Sequence, residues 1–399
     1  MKKYKLGDIA DINKQTLSKK DSMDVIEYLD TGSLTENIFG PKQVLSRKEA
    51  PSRAQRRVFD KTILYSTVRP RLKHYGFLES PKENTIVSTG FATIDVKDEF
   101  KNVIDARYLY LLLIQDKVTE YLGTIADTAV SAYPSLNPSD IQSLEFEFPD
   151  MPIQKKVASF LCNIDKRIEN LRAQNRVLEQ TAKTIYDYTF LQCAGHQTTY
   201  NKTLNRNIPA DWEIDNLYRI ADFTNGLACQ KYRPITEKEK LPVIKIREMH
   251  DGVTADTEFV KSDIPEKVIV NPGDLLFSWS ASLEVMMWNG VKGGLNQHIF
   301  KVTPKEYFSL YYVYFQLKDY IGNFKRMAEA RKTTMGHITT DHLNQSRIAI
   351  PDEETMKRFS SQITPLFKKQ LVNSQQIEAL TTQRNTLLPL LMNGQIEVE

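Results

Sequence analysis

Cysteine is scarce: 399 residues carry only Cys162, Cys193 and Cys229. An odd, scattered set of three excludes a disulfide framework and a four-cysteine zinc site, and it fits a reducing cytoplasm. Long apolar runs are also missing. The longest, Tyr108–Ile114 and Tyr311–Phe315, are far too short to cross a bilayer, and the N-terminal residues lack the apolar stretch of a signal peptide. A cytoplasmic location with no membrane partner is therefore expected. Neither sign of charge is in excess, with 53 Lys and Arg against 50 Asp and Glu and a net charge of +3. Nucleic-acid binding would have to come from local patches and not from a bulk positive field. No Gly-x-x-x-x-Gly-Lys-Ser/Thr loop is present, so no nucleotide-binding loop of that kind is visible. Neither an Asn-Pro-Pro-aromatic nor an Asp-Pro-Pro-Tyr run of the kind amino-methyltransferases use occurs. The histidines His74, His196, His250, His298, His337 and His342 show no metal-ligand spacing. No catalytic residue and no metal ligand is nominated.

What is present is ordinary globular composition, 41% apolar and 26% charged with eighteen Phe and eighteen Tyr, in a chain long enough for two or three domains. The chain repeats itself. Ile9-Ala10-Asp11-Ile12 recurs as Ile220-Ala221-Asp222-Phe223 at an offset of 211, and Ile63-Leu64-Tyr65-Ser66 as Leu275-Leu276-Phe277-Ser278 at 212. Phe146-Glu147-Phe148-Pro149-Asp150 recurs as Ile348-Ala349-Ile350-Pro351-Asp352 at 202. Each copy mixes short β-branched or aromatic runs with turn residues, such as Val25–Leu29, Thr62–Tyr65, Phe91–Val96, Val243–Ile246, Asp274–Phe277 and His298–Val302. Each adds a helix, Asp105–Tyr121 or Lys305–Phe324, and closes on Pro-Asp.

A heptad-patterned helix follows each copy. Ile153, Val157, Leu161, Ile164, Ile168, Leu171, Leu178, Ala182 and Ile185 form one seam; Met356, Phe359, Ile363, Leu366, Ile377, Leu380, Leu387 and Leu391 form the other, still at the 202 offset. Pro365 should kink the second helix or restart it with Thr364 as N-cap. The first helix, from about Ile153 to Leu191, would be roughly 60 Å long. Its seam is best buried by an antiparallel return of the second. The expected fold class is α+β: two similar globular domains separated by an antiparallel two-helix coiled coil, a pseudo-two-fold internal repeat. The expected boundaries are 1–150 for the first domain, 151–194 for its helix, 195–207 for a linker, 208–352 for the second domain and 353–399 for the second helix and tail. Asn175 and Asn373 lie at seam positions where they could fix register or face outward.

Charge is concentrated in one place. From Lys42 to Lys73 there are ten cations (Lys42, Arg47, Lys48, Arg53, Arg56, Arg57, Lys61, Arg69, Arg71 and Lys73) against Glu49 and Asp60. Such an excess is costly to hold without an anionic partner. Arg forks read guanine edges, and Lys, Ser and Thr hold phosphates. The nominated DNA contacts in the first copy are Arg53, Arg56, Arg57, Ser66, Arg69, Arg71 and Lys73. In the second copy they are Lys231, Tyr232, Arg233, Arg247, His250, Ser278, Ser280, Gln297, Arg331, Thr333 and Thr334, where the Gln amide suits adenine. Lys155, Lys166, Arg167, Arg172 and Arg176 on the outer faces of the rod remain for protein partners or phosphates.

The pattern resembles the specificity subunit of a Type I restriction–modification system over nearly the whole chain. The stretches that carry the resemblance are Gly273–Ser282 (GDLLFSWSAS), Gly293–Val302 (GGLNQHIFKV), Arg384–Val398 (RNTLLPLLMNGQIEV) and Phe148–Leu171, with Pro152 and Gln154 near the helix start. The second copy departs there, with Asp352-Glu353-Glu354-Thr355, and Gly123 matches a family glycine for which the second copy has Ala330. The resemblance implies two target-recognition domains, a subunit with no catalysis and no bound cofactor of its own, and double-stranded DNA as ligand. It implies two modification subunits that use S-adenosylmethionine to methylate adenine, and restriction subunits that use ATP and Mg. A stand-alone DNA methyltransferase or nuclease would instead transfer methyl groups or cut DNA by itself. A coiled-coil scaffold without nucleic-acid function would show no salt-dependent DNA binding.

Overall fold

The computed structural model describes all residues except 1, 19, 20, 22, 129–132, 236–238, 281, 331–339 and 399, and the side chains of 328–330. The chain divides into two compact units, residues 1–167 with 381–399, and residues 168–380.

In the first unit the buried strand Phe91–Val96 lies between Ala10–Ile12 and Ile63–Ser66, and Tyr75–Phe77 completes an antiparallel sheet. All six residues of Phe91–Val96 are buried, Thr93 and Asp95 included, and the Thr62 hydroxyl donates to the Asp95 carboxylate inside the fold. A second sheet has the order Gln43–Ser46, Val25–Leu29, Thr85–Ser88, Ala54–Arg57, with its two central strands parallel. Lys2–Lys5 pairs with Glu145–Phe148.

The second unit repeats the two four-stranded sheets and the closing strand pair. One sheet runs Ala221–Asn225, Ile299–Pro304, Leu275–Ser278, Glu284–Met287. The other runs Phe259–Lys261, Lys240–Ile244, Gly293–Leu295, Ile269–Val270, again with a parallel central pair. Glu213–Asp215 pairs with Ile348–Ile350. The three sequence anchors of the repeat thus fall on equivalent strands.

The long helices are Met151–Tyr186 and Glu353–Met392. Their direction is read from contacts inside each unit. In the first, the Arg384 Nε bonds Asp165 at 2.9 Å. In the second, Asn373 Nδ2 donates to Asn175 Oδ1 at 2.9 Å and Gln370 to Glu179 at 3.3 Å. Residue numbers fall on one helix as they rise on the other, so the pairing is antiparallel. Asn373 is fully buried and faces the half-buried Asn175. Glu179 also accepts from Tyr314 (2.6 Å) and Lys318 (2.7 Å). Burial opposes its charge, but Lys318 and Tyr314 hold its carboxyl below the ordinary range.

Four local expectations are corrected. The helix over Asp105–Tyr121 is two helices, Ala106–Leu113 and Asp116–Asp127, with the break at Ile114-Gln115. The helix in the second copy starts later, at Leu310, and runs to Ala330. The last helix passes through Pro365 without a restart, and the Thr364 hydroxyl donates to the Ser360 carbonyl at 2.7 Å and caps nothing. The expected linker contains a strand, Thr198–Asn201, paired with Arg206–Pro209, with Thr199 opposite Ile208 and Tyr200 opposite Asn207.

Gln154 shows how the first long helix is joined to its domain. It is fully buried, and its amide donates to the Val103 and Pro149 carbonyls (both 2.8 Å) and accepts from the Asp105 N–H (2.9 Å). The second copy has Met356, also fully buried, at the equivalent place. Gln154→Leu is expected to leave three inward-facing backbone groups without a partner, at about 1–3 kcal/mol for each that finds no water. Urea unfolding of the variant should show a lowered midpoint; an unchanged midpoint would mean the latch is dispensable.

Candidate nucleic-acid interface

In the first unit the ends of both sheets are laced together by backbone bonds. Thr67 N–H donates to the Gly90 carbonyl and Thr89 N–H to the Arg53 carbonyl (both 2.8 Å). Leu136 N–H donates to the Thr67 carbonyl (2.8 Å), and Arg69 N–H to the Pro134 carbonyl (2.9 Å). Ser66 is 1% exposed, and its hydroxyl donates to the Val68 carbonyl at 2.8 Å. It shapes the turn from inside and presents nothing outward. The turn ends with Arg69 in the left-handed region, φ 48°, and its guanidinium lies 5.0 Å over the Tyr133 ring. Arg53 and Arg69 are exposed and make no ion pair among the described residues.

The other nominated cations are held differently. Arg71 reaches Glu120 (2.9 Å) and Asp127 (2.6 Å), which raise its pKa. It crosses the helix at Gly123, where a Cβ would lie 2.7 Å from its Cζ. Lys73 pairs with Asp116 (2.9 Å) and Glu36 (3.5 Å); partial burial opposes its charge, yet these carboxylates raise its pKa. Arg57 pairs with Asp21 (3.4 Å), and Lys42 with Glu27 (3.3 Å). Arg56 is half-buried, with its Nε unbonded among the described residues, and burial lowers its pKa. The premise that the whole basic run needs an outside anion is corrected: acids distant in sequence neutralise part of it, and Arg53 and Arg69 are left at the sheet ends.

The second unit has the same turn. Trp279 N–H donates to the His298 carbonyl at 3.3 Å, the counterpart of Thr67 to Gly90. Ser278 is fully buried and donates to the Ser282 carbonyl at 2.8 Å, and Ser280 is 8% exposed. Trp279 Nε1 donates to Asn225 Oδ1 at 3.1 Å, and its ring lies 5.5 Å from that of His298. Gln297 N–H donates to the Leu227 carbonyl (2.8 Å), and its amide touches His298 Nε2 (3.2 Å). Asn225, Trp279, Gln297 and His298 therefore share one edge. Lys231 and Arg233 are exposed beside the half-buried Tyr232, whose ring has the Lys261 ammonium 5.9 Å from its centre. Arg247 is occupied by the buried Glu248 (2.9 Å), and His250 by Glu284 (2.8 Å). Arg331, Thr333 and Thr334 lie outside the described residues.

Tyr133 and Asn225 were not nominated from sequence. Asn225 could have been found as the end of the strand that begins at the repeat anchor Ile220–Phe223, where a polar side chain closes the strand. Gly226 is what lets this edge close. A Cβ there would lie 2.2 Å from the Asn296 carbonyl oxygen, and backbone cannot move aside as a side chain can. Gly226→Ala is expected to push the Asn296–His298 turn away and destabilise the second unit by about 1–3 kcal/mol. Recognition by this unit should fall while that by the first persists, as read by binding to DNA carrying single half-sites.

No group of three or more His, Cys, Asp or Glu positioned to hold a metal occurs among the described residues, and no described helix is long and apolar enough to cross a membrane. The chain matches the Type I restriction modification DNA specificity domain twice, over residues 1–180 and 209–382. It belongs to that family. The HindI specificity subunit of Haemophilus influenzae is 23% identical, with 99% of each chain covered. The MjaIX specificity subunit of Methanocaldococcus jannaschii is 27% identical over 86% of this chain and 79% of its own length. The Type I restriction–modification S subunit from M. genitalium shares the fold, with a TM-score of 0.59 at 15% identity over 98% of this chain and 95% of that one. The two domain matches coincide with the two copies of the repeat seen in the structure.

Proposed function

We propose that this specificity-family chain reads an asymmetric, two-part DNA target and brings modification and restriction subunits to it, with no catalytic step of its own. The observation that carries the reading is one fold presenting two different side-chain sets at the same sheet edge. The first unit offers Arg53 and Arg69, suited to guanine or phosphate. The second offers Asn225 and Gln297, with amides suited to adenine, while Lys231 and Arg233 are exposed beside Tyr232, outside that set of contacts. Two unlike readers on one chain call for two unlike half-sites. S-adenosylmethionine, ATP and Mg belong on this reading to the partner subunits, in the cytoplasm. An open groove of about 770 Å³ in the first unit, between its domain and the start of the first long helix, carries Lys61, Lys155 and Lys166 together with Asp60, Glu79 and Asp105, beside Phe59 and Phe77. It is a candidate seat for such a partner.

The test is co-expression with the cognate modification subunits, followed by mapping of methylated adenines across a genome. Replacing residues 1–150 by the equivalent domain of a relative should change one half of the methylated site and leave the other intact. A folded chimera that alters both halves, or methyl transfer by this chain alone, would contradict the proposal.

A further inference from the structure

The repeat equates Asp165 with Phe367, Leu171 with Asn373, Asn175 with Ile377, and Ala182 with Arg384, all at the 202 offset. The structure pairs them across the repeat and not within it. In the first unit Asp165 meets Arg384, with side chains 27% and 18% exposed. The same register in the second unit sets Ala182 against Phe367, both in one buried apolar cluster. There Asn175 meets Asn373, and the same register sets Leu171 against Ile377. In these four layers charge faces charge, amide faces amide and apolar faces apolar.

We infer that the two long helices carry a pairing code by which each half of the chain fits the other half and rejects a second copy of itself. Two first helices packed antiparallel at this register would set Asp165 against Ala182 and Asn175 against Leu171. Two last helices would set Arg384 against Phe367 and Asn373 against Ile377. Each self-pairing buries a charge without its partner and an amide against hydrocarbon, both of which are costly. Specificity then rests on the penalty for the wrong pair as much as on the bond in the right one.

The helix ends carry the same distinction. Tyr186 and Phe190 are buried in the second unit, with rings 5.0 Å from Phe315 and 4.7 Å from Tyr312 respectively. Their equivalents in the first unit, Leu388 and Met392, are also buried. A first helix offered to the first unit would drive two rings into space shaped for Leu and Met. The consequence is that symmetric assemblies of like halves are excluded, whatever the domains bind.

The test uses the full chain, cut after folding at a protease site inserted after Gly195, which is exposed with nothing within 4 Å of its Cβ position. Labelled (nitrogen-15) and unlabelled cut protein are mixed at the lowest urea concentration at which the pieces exchange, as shown by mixed-label pairs. Native mass spectrometry then counts like and unlike pairs. Unlike pairs should dominate, with each like pair below one-hundredth of them. Like and unlike pairs in the statistical 1:2:1 ratio would overturn the inference. A variant with Asp165→Phe, Asn175→Ile, Asn373→Leu and Arg384→Ala makes the layers identical in both helices. Its like pairs should rise at least tenfold. If they stay as rare as in the unsubstituted protein, the layers do not set the choice and the code is wrong.

Discussion

Arg384→Ala should destabilise the first unit by about 1–3 kcal/mol, because it leaves the part-buried Asp165 carboxylate without its partner. Desolvation works against the Arg384 charge, yet Asp165 and the neighbouring tyrosines Tyr110 and Tyr75 raise its pKa. Burial in turn pushes both phenols far above their ordinary range. The pair therefore sits where the first long helix, the last helix and the domain meet. The double variant Asp165→Asn with Arg384→Met should lose much less, since no unpaired charge remains. Urea unfolding of the two variants decides the matter: a single substitution costing under about 1 kcal/mol would show the site to be as solvated as a surface pair.

The Arg53→Ala/Arg69→Ala double variant should weaken specific DNA binding by about 2–6 kcal/mol, if each guanidinium reads a base and the two effects add. Binding titrations at several salt concentrations should also show a shallower salt dependence wherever one of them contacts phosphate. Arg71→Ala should change binding less than Arg69→Ala, because the Arg71 guanidinium is already held by Glu120 and Asp127. Wild-type affinity and salt slope in the double variant would remove the sheet ends of the first unit from the interface.

Residue type alone did not separate Arg69 from Arg71. They lie two positions apart in the same basic run, yet one stacks on Tyr133 and the other crosses a helix at Gly123. The difference comes from carboxylates 49 and 56 residues further along the chain, which local charge counting cannot see. Ser66 and Ser278 were legible as equivalent positions of the repeat but not as buried turn-formers. A serine at a strand end is equally compatible with a ligand contact until its hydroxyl is seen bonded to the backbone two or four residues on. Trp279 lies within the Gly273–Ser282 stretch that carries the resemblance, but its bond to Asn225 depends on the neighbouring strand.

By itself the sequence determined the two-copy plan, the α+β class and the antiparallel seam. Strand and helix periodicities are local, and burial writes them directly into the order of apolar residues. The repeat offsets then carried equivalence from one domain to the other without coordinates. Tertiary structure alone decided which cations are neutralised, which polar seam residues meet, and which side chains share a reading edge. Those are pairings between residues far apart in sequence, set by how sheets and helices close on one another. The parallel central strands Val25–Leu29 and Thr85–Ser88 belong to the same class: each reads as a strand alone, and only the closed fold makes them neighbours.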